Sequence, residues 1–181
     1  MTKTQTKTLD IVYTAIAVAM ITVCSWITIP MTVPFTLQTF AVFAVLLILG
    51  GEKGTVATLV YVLMGSAGIP VFSGFSGGVG VILGKTGGYI IGFLFIGIIY
   101  TLLTRFLGMK TIVEITALLL GLIVCYAFGT AWFIYIYIRD TGEVGLLTVL
   151  SWCVFPFIIP DLLKMAMAAV ISRRVKGALR L

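Results

Sequence analysis

The sequence has no histidine and little charge: only 10% of its 181 residues are Asp, Glu, Lys or Arg. Soluble domains carry about 25% charged residues, so this composition excludes a soluble fold. Imidazole, the most common general acid–base group, is missing, and no residues cluster at metal-ligand spacing. We therefore expect no enzymatic activity, no metal site and no cofactor.

Cysteine is also scarce, and basic residues form no continuous face. Cys24, Cys125 and Cys153 lie in apolar runs without C-x-x-C spacing, so we interpret them as small buried hydrophobic side chains. The net charge is +6, but the basic residues cluster at loop ends and termini without interleaved aromatic residues. This distribution argues against nucleic acid as a partner.

Apolar helix dominates what remains, with 61% hydrophobic residues and a mean hydropathy of +1.22. These values predict an all-α integral membrane protein, one domain over residues 1–181, in a lipid bilayer. Six transmembrane helices are predicted, over residues 11–29, 37–49, 55–65, 87–103, 112–138 and within 145–172. Asp10 is a candidate N-cap for the first. The second and third are short, and Pro156 and Pro160 are expected to break the sixth.

The basic residues predict the orientation of this bundle. With both termini in the cytoplasm, 9 of the 12 basic residues lie inside: Lys3, Lys7, Lys53, Arg105, Lys110, Arg173, Arg174, Lys176 and Arg180. Lys85 and Arg139 then lie outside, and Lys164 lies within the membrane. Because Lys and Arg favour cytoplasmic loops, we expect the N-in, C-in orientation.

Residues 66–86, here called the lid segment, are unusual for a membrane protein. Eight of the chain's 20 glycines lie between positions 68 and 88. Non-helical backbone at membrane depth is tolerated where it is buried in protein or lines a cavity. The segment also carries apolar residues such as Phe72 and Phe75, which favour packing over a binding site. The alternative is a flexible external loop.

Asp161 and Lys164 are the strongest candidate site residues. Lys164 lies nine residues before Arg173, roughly 13 Å deep in a helix, near the middle of a hydrocarbon core about 30 Å thick. Placing an ionisable group at that depth costs free energy, and such groups are usually functional. The spacing of i and i+3 places both on one helical face, and the expected helix break at Pro160 is typical of transporter sites. The alternative is a structural ion pair.

Neutral polar and small residues complete the candidate set. Five of them lie near helix starts: Thr36, Gln38, Thr39, Thr86 and Tyr89. Gln38 and Tyr89 follow breaker residues and are expected to face one vestibule, although a structural role is the alternative for each. Two small-xxx-small patterns allow close helix approach, either inside the bundle or against another membrane subunit. One is formed by Ala15 and Ala19, and the other by Gly84, Gly88 and Gly92.

Four segments, in order along the chain, resemble the BioY family of biotin transporter substrate-binding (S) components. They are residues 34–39 (PFTLQT), 61–72 (YVLMGSAGIPVF), 84–93 (GKTGGYIIGF) and 161–164 (DLLK). The third departs from the family pattern at Lys85, where the family usually has proline.

The resemblance implies a six-helix S component of an energy-coupling factor (ECF) transporter in a prokaryotic cell membrane. Such a protein captures biotin from outside and works with a transmembrane coupling subunit and two ABC-type ATPase subunits. Ala15 and Ala19 on the first helix would contact the coupling subunit. The candidate biotin-binding residues are Asp161, Lys164, Gln38, Tyr89, Thr36, Thr86, Phe72 and Gly88. Asp161 would accept ureido N–H bonds, and Lys164 would meet either the ureido carbonyl or the carboxylate.

Two other functions remain open from the residues alone. An S component for another vitamin would share the fold and the coupling face but not the four segments. An ion- or proton-coupled carrier would use Asp161 as a relay and would show flux in liposomes without ATPase partners.

Overall fold

A computed structural model describes the backbone of residues 3–179 and the side chains of residues 8–178. Lys3, Lys7 and Arg180, which count toward the predicted orientation, have side chains outside this described part. In chain order the elements are α1 (Lys3–Trp26), β1 (Thr28–Ile29), β2 (Phe35–Thr36), α2 (Gln38–Leu49), α3 (Gly51–Ser66), a 3₁₀ turn (Ser73–Phe75), α4 (Val79–Leu83), α5 (Gly87–Leu107), α6 (Thr111–Asp140), α7 (Leu146–Cys153) and α8 (Phe155–Leu179).

The helices have the length and composition of membrane spans. Within the described residues, four stretches are long and apolar enough to cross a bilayer: Thr8–Trp26, Gly87–Leu107, Thr111–Asp140 and Leu146–Ala178. Such stretches keep every backbone polar group bonded internally, as a hydrocarbon environment requires. The predicted helical, multi-pass architecture is therefore present, with one short hairpin, β1–β2, added to it.

Polar contacts gather the start of α1 and the end of α8 at one end of the bundle. Asp10 of α1 pairs with Lys53 at the start of α3. The start of α3 packs against the last turns of α5, where Tyr100 donates a hydrogen bond to Glu114 at the start of α6. Glu114 in turn lies 3.6 Å from Lys176 near the end of α8. The lid segment lies at the opposite end.

Helix α2 is short because protein surrounds it. Every residue from Ala41 to Leu47 is at most 3% exposed. A helix that is apolar on all sides is typical of a buried core position. Because α2 contacts α1, α3, α5 and α8, it need not span the bilayer thickness in contact with lipid. Its first residue, Gln38, is thereby placed in the interior of the bundle.

Glycines bring α5 and α6 close together. A Cβ on Gly88 would lie 2.4 Å from Cβ of Trp132, and one on Gly92 would lie 2.6 Å from Sγ of Cys125. Neither contact leaves room for a side chain. The Gly88/Gly92 part of the small-xxx-small pattern therefore packs within the chain.

The predicted boundaries of α1 and α3 were wrong. Helix α1 runs through Asp10 instead of starting after it, so Asp10 is not an N-cap, and its carboxylate pairs with Lys53. Helix α3 begins at Gly51 rather than at Thr55. Gly50, with φ of 80°, makes the turn between α2 and α3 alone, since only glycine adopts that conformation without strain.

The break in the last span lies at Val154, and not at Pro156 or Pro160 as predicted. Val154 separates α7 from α8 with φ −126° and ψ −59°. Helix α8 then continues through Pro160. Pro156 occupies the second position of α8, where a missing N–H costs little. Asp161 and Lys164 consequently lie well inside a continuous helix.

The lid segment is folded against the helices. Gly74 and Gly78 turn the chain with φ of 69° and 99°. Phe75 also has a positive φ, 56°, which bulky residues rarely adopt. Its ring stacks on Trp26 with centroids 4.8 Å apart, a contact that favours this conformation. The alternative of a freely flexible loop is not what the structure shows.

Candidate functional site

A cavity of about 230 Å³ lies beneath the lid segment. Its walls come from the start of α2, the lid segment, α5, α6 and α8. The lining residues include Val33, Pro34, Thr36, Gln38, Thr39, Phe72, Ser73, Ser76, Val81, Thr86, Tyr89, Ile90, Phe93, Leu122, Cys125, Tyr126, Cys153, Phe157, Asp161 and Lys164. Mostly apolar walls with a few converging polar groups are typical of a small-molecule site.

A buried ion pair lies in the wall of this cavity. Asp161 and Lys164 are 2% and 6% exposed. Nζ of Lys164 donates to Oδ1 of Asp161 at 2.8 Å. The two residues are one turn apart on α8, so the helix itself sets their spacing.

Two hydroxyl groups from other helices hold the Asp161 carboxylate. Thr39, in the first turn of α2, donates to Oδ1 at 2.8 Å and accepts from Lys164 at 3.1 Å. Tyr126 of α6 donates to Oδ2 at 2.6 Å. Three helices thus meet at one carboxylate, whose acceptor positions are filled by protein donors at a site removed from bulk water.

The aromatic ring of Phe35 covers the cation. Nζ of Lys164 lies 4.2 Å from the centroid of this ring, which is within the range of a cation–π contact. Phe35 belongs to the two-residue strand β2, paired with β1 in a short hairpin. Its ring also stacks on the ring of Phe157, with the two centroids 6.0 Å apart. The hairpin thereby closes one side of the site.

A second set of polar side chains lies at the start of α2. The hydroxyl of Thr36 accepts the backbone N–H of Gln38 at 3.2 Å. The side chain of Gln38 donates through Nε2 to the hydroxyl of Tyr61 at 2.8 Å. On the opposite wall, the hydroxyl groups of Tyr89 and Thr130 lie 3.0 Å apart.

Seven of the eight predicted ligand-contacting residues line one cavity: Asp161, Lys164, Gln38, Tyr89, Thr36, Thr86 and Phe72. Gly88 does not line it, because its backbone packs against Trp132.

Sequence reasoning missed Tyr126 and Phe35, which contact the ion pair directly. A tyrosine in the middle of a predicted span was the available signal for Tyr126.

The two predicted docking residues lie elsewhere, in a groove of about 1030 Å³ between α1 and α3. Ala15 and Ala19 are both exposed there. The groove is lined by Asp10, Ile11, Thr14, Ala15, Val18, Ala19, Thr22, Val23, Trp26, Glu52, Lys53, Val56, Val60, Met64, Ile69, Pro70 and Val71. It runs from the Asp10–Lys53 pair to the first residues of the lid segment.

A family model described as the BioY family matches residues 1–181. The chain belongs to the BioY family. It is 41% identical to the probable biotin transporter BioY of Pyrococcus horikoshii over 145 residues, which cover 80% of this chain and 82% of the relative. Its similarity to the biotin transporter BioY of Thermotoga maritima is 36% over 168 residues, covering 92% and 95%.

The fold is also that of a solved BioY-type protein. A crystal structure of the S-component for biotin from an ECF-type ABC transporter matches with a TM-score of 0.84 and 28% identity, covering 98% of this chain and 95% of that one. These BioY relatives are transporter components and not enzymes, in agreement with the sequence prediction. The chain is accordingly a multi-pass membrane protein of a transporter family.

Proposed function

We propose that this chain is the biotin-binding S component of an ECF-type vitamin uptake transporter. The relatives named as biotin transporters and the matching biotin S-component support this function. The cavity beneath the lid segment is the proposed biotin site, because it combines apolar walls with a buried cation and a buried acceptor.

The hydrogen-bond count at Asp161 is the observation that carries the proposal. An ionised carboxylate offers about four acceptor positions. Thr39, Lys164 and Tyr126 occupy three of them, which leaves one for a ligand N–H. Biotin presents such a donor on its ureido ring.

The ammonium group of Lys164 has one donor left for the ligand. Of its three N–H groups, one bonds Asp161 and one bonds Thr39. The third can meet a ureido carbonyl or a carboxylate, and either bond is strengthened by the low dielectric of the site. The remaining walls are apolar and suit the thioether ring and aliphatic tail.

The proposal includes six transmembrane helices, α1, α2, α3, α5, α6 and the α7–α8 pair, in one domain over residues 1–181. The grouping of helix ends described above supports placing both termini on one side, and the basic residues favour the cytoplasm. The lid segment then faces outward, and biotin enters from outside a prokaryotic cell membrane.

Uptake is proposed to require a transmembrane coupling subunit and two ABC-type ATPase subunits. Ala15 and Ala19 support a docking face on α1, because they are exposed and lie in an apolar groove. Small residues let a partner helix approach closely.

Calorimetry on the detergent-purified protein tests the substrate, with biotin as ligand and thiamin and riboflavin as controls. We expect one-to-one binding of biotin alone. Absence of biotin binding by a well-folded sample would contradict the proposal.

Biotin amide, which lacks the carboxylate charge, tests which group meets Lys164. Binding weaker by about tenfold or more places the carboxylate there, since charged hydrogen bonds contribute roughly 1.5–3 kcal/mol. Binding equal to that of biotin places the ureido carbonyl there.

A further inference from the structure

Tyr61 of α3 does not line the cavity, yet it contacts three groups that shape it. The residue is 0% exposed. Its hydroxyl lies 2.8 Å from Nε2 of Gln38 and 3.1 Å from the carbonyl oxygen of Val71. Its ring meets the ring of Phe72 edge-on, with centroids 5.5 Å apart. Gln38 and Phe72 both line the cavity.

The direction of these hydrogen bonds follows from their partners. A backbone carbonyl can only accept, so the single hydroxyl hydrogen of Tyr61 is donated to Val71. The hydroxyl oxygen must then accept from the amide NH₂ of Gln38. This orients the amide with Nε2 toward Tyr61 and leaves Oε1 as the acceptor that Gln38 presents to the cavity.

The same hydroxyl fixes the lid segment. Oγ of Ser25 lies 2.5 Å from the carbonyl oxygen of Val71 and 2.8 Å from that of Thr22, so its single hydrogen is shared between two acceptors. The neighbouring carbonyl of Pro70 accepts from the indole of Trp26 at 2.9 Å. Val71 lines the α1–α3 groove, whereas Phe72 lines the cavity. Val71 and Phe72 therefore form the wall between the groove and the cavity, and hydrogen bonds from α1 and α3 hold this wall in place.

A second acceptor is needed for a ureido ligand. Its ring carries two N–H donors, but Asp161 has only one acceptor position left beside Thr39, Lys164 and Tyr126. Gln38 and Thr39 both line the cavity from the first turn of α2, and Thr39 bonds Asp161 directly, so Gln38 is the candidate for this second acceptor.

We propose that Oε1 of Gln38 accepts a ureido N–H of the ligand and that the Tyr61 hydroxyl is the positioning group for this acceptor. This inference rests on the proposed biotin function. Without the hydroxyl, the amide of Gln38 loses the partner that sets which of its atoms faces the ligand, and the Val71 carbonyl loses its Tyr61 donor.

A double-variant cycle tests the role. Biotin affinity is measured for the unaltered protein, Tyr61→Phe, Gln38→Leu and the combination of both. Tyr61→Phe keeps the ring and removes only the hydroxyl. We expect about tenfold weaker binding in Tyr61→Phe, from the loss of one oriented hydrogen bond. In the Gln38→Leu background the same change should weaken binding by about threefold or less.

Two further variants distinguish an effect on the lid segment from an effect on the Gln38 amide. Ser25→Ala removes a contact of the Val71 carbonyl and of the Tyr61 hydroxyl but leaves the Tyr61–Gln38 hydrogen bond in place, so its loss of biotin affinity should be no larger than about threefold, the residual effect expected for Tyr61→Phe in the Gln38→Leu background. Tyr100→Phe is the matched control, because Tyr100 is equally buried but donates to Glu114 at the other end of the bundle. Its biotin affinity should equal that of the unaltered protein.

Failure of the two proposals can be told apart. If the unaltered protein does not bind biotin, the biotin function fails and this role fails with it. If biotin binds the unaltered protein and Tyr61→Phe within twofold of each other, only the positioning role is overturned. An equal loss in both backgrounds also overturns it. Should Tyr61→Phe not fold, Gln38→Leu alone is decisive, since unchanged affinity there removes the acceptor through which Tyr61 acts.

Discussion

The cavity and the α1–α3 groove each contain an Asp–Lys pair, and the two pairs lie in opposite environments. In the cavity, Asp161 and Lys164 are 2.8 Å apart with side chains 2% and 7% exposed. In the groove, Asp10 and Lys53 are 2.5 Å apart with side chains 40% and 49% exposed. The two pairs therefore have similar contact distances but very different degrees of burial, and so they contribute differently to the free energy of the folded protein.

Burial explains which pair is suited to a ligand. An exposed pair is solvated on its own and contributes about 0–1 kcal/mol to stability. A buried pair has lost its water, so its remaining hydrogen-bond positions must be filled by protein or ligand. The cavity pair, with its extra bonds to Thr39 and Tyr126, therefore suits the proposed polar ligand, whereas the mostly apolar groove suits the proposed docking of a partner helix.

The largest expected effect comes from breaking the cavity pair. Asp161→Asn and Lys164→Ala should each weaken biotin binding by roughly 100-fold or more, because truncating one member of a buried hydrogen-bonded pair costs about 2–5 kcal/mol. Calorimetry on the purified variants measures this. Unchanged affinity in either variant would remove that residue from the site.

A double variant separates a binding role from a structural one. Asp161→Leu with Lys164→Met replaces both charges by apolar groups, which is often neutral or stabilising where single truncation is not. We expect its thermal unfolding temperature to exceed that of either single variant, with biotin binding still absent. If binding returned together with stability, the pair would be structural only.

The next largest effect is expected where the lid segment meets α3. A Cβ on Gly65 would lie 2.0 Å from the ring of Phe72, so Gly65→Ala must displace this cavity wall. We expect biotin binding to weaken by about tenfold or more, from lost packing on the ligand. A Cβ on Gly80, which lies within the lid segment, would meet nothing within 4 Å, so Gly80→Ala should bind biotin like the unaltered protein. Equal affinity of both variants would contradict this assignment.

Sequence periodicity predicted the long helices but not the breaks and connections between them. Continuous apolar runs define a helix wherever a bilayer or a core surrounds it. The break was predicted at Pro156 and Pro160, because proline disfavours a helix interior. It lies instead at Val154: Pro156 takes the second position of α8, and the helix continues through Pro160. The β1–β2 hairpin has only two residues in each strand, too few for an alternating pattern to be visible.

The site was predictable to the extent that its chemistry is local. Asp161 and Lys164 stand out because charge is rare in an apolar run and their spacing is helical. Tyr126 is separated from Asp161 by 35 residues, so only the packing of α6 on α8 creates that contact. The environment of Gly88 was likewise decided by a tertiary contact, the approach of Trp132.

Blocking the groove should leave biotin binding intact and impair uptake. Ala19→Trp places a large ring in the proposed docking face. We expect unchanged calorimetric affinity but at least about tenfold slower biotin uptake in cells that depend on this chain, because small residues permit close helix approach. Ile16→Trp is the matched control: Ile16 is 61% exposed on the same helix and lies outside the groove lining. Equal uptake by both variants would remove Ala19 from the docking face.

The smallest expected effect is at the exposed pair of the groove. Lys53→Ala should lower the free energy of unfolding by less than about 1 kcal/mol, since water replaces the lost partner of Asp10. The difference should shrink further as salt rises from 0.1 to 1 M, roughly a threefold shorter screening length. Thermal unfolding of Lys53→Ala beside Lys164→Ala, at both salt concentrations, measures the contrast. A loss at Lys53 as large and as salt-independent as that at Lys164 would show that the groove pair is desolvated, and the distinction between the two concavities would then fail on its main physical ground.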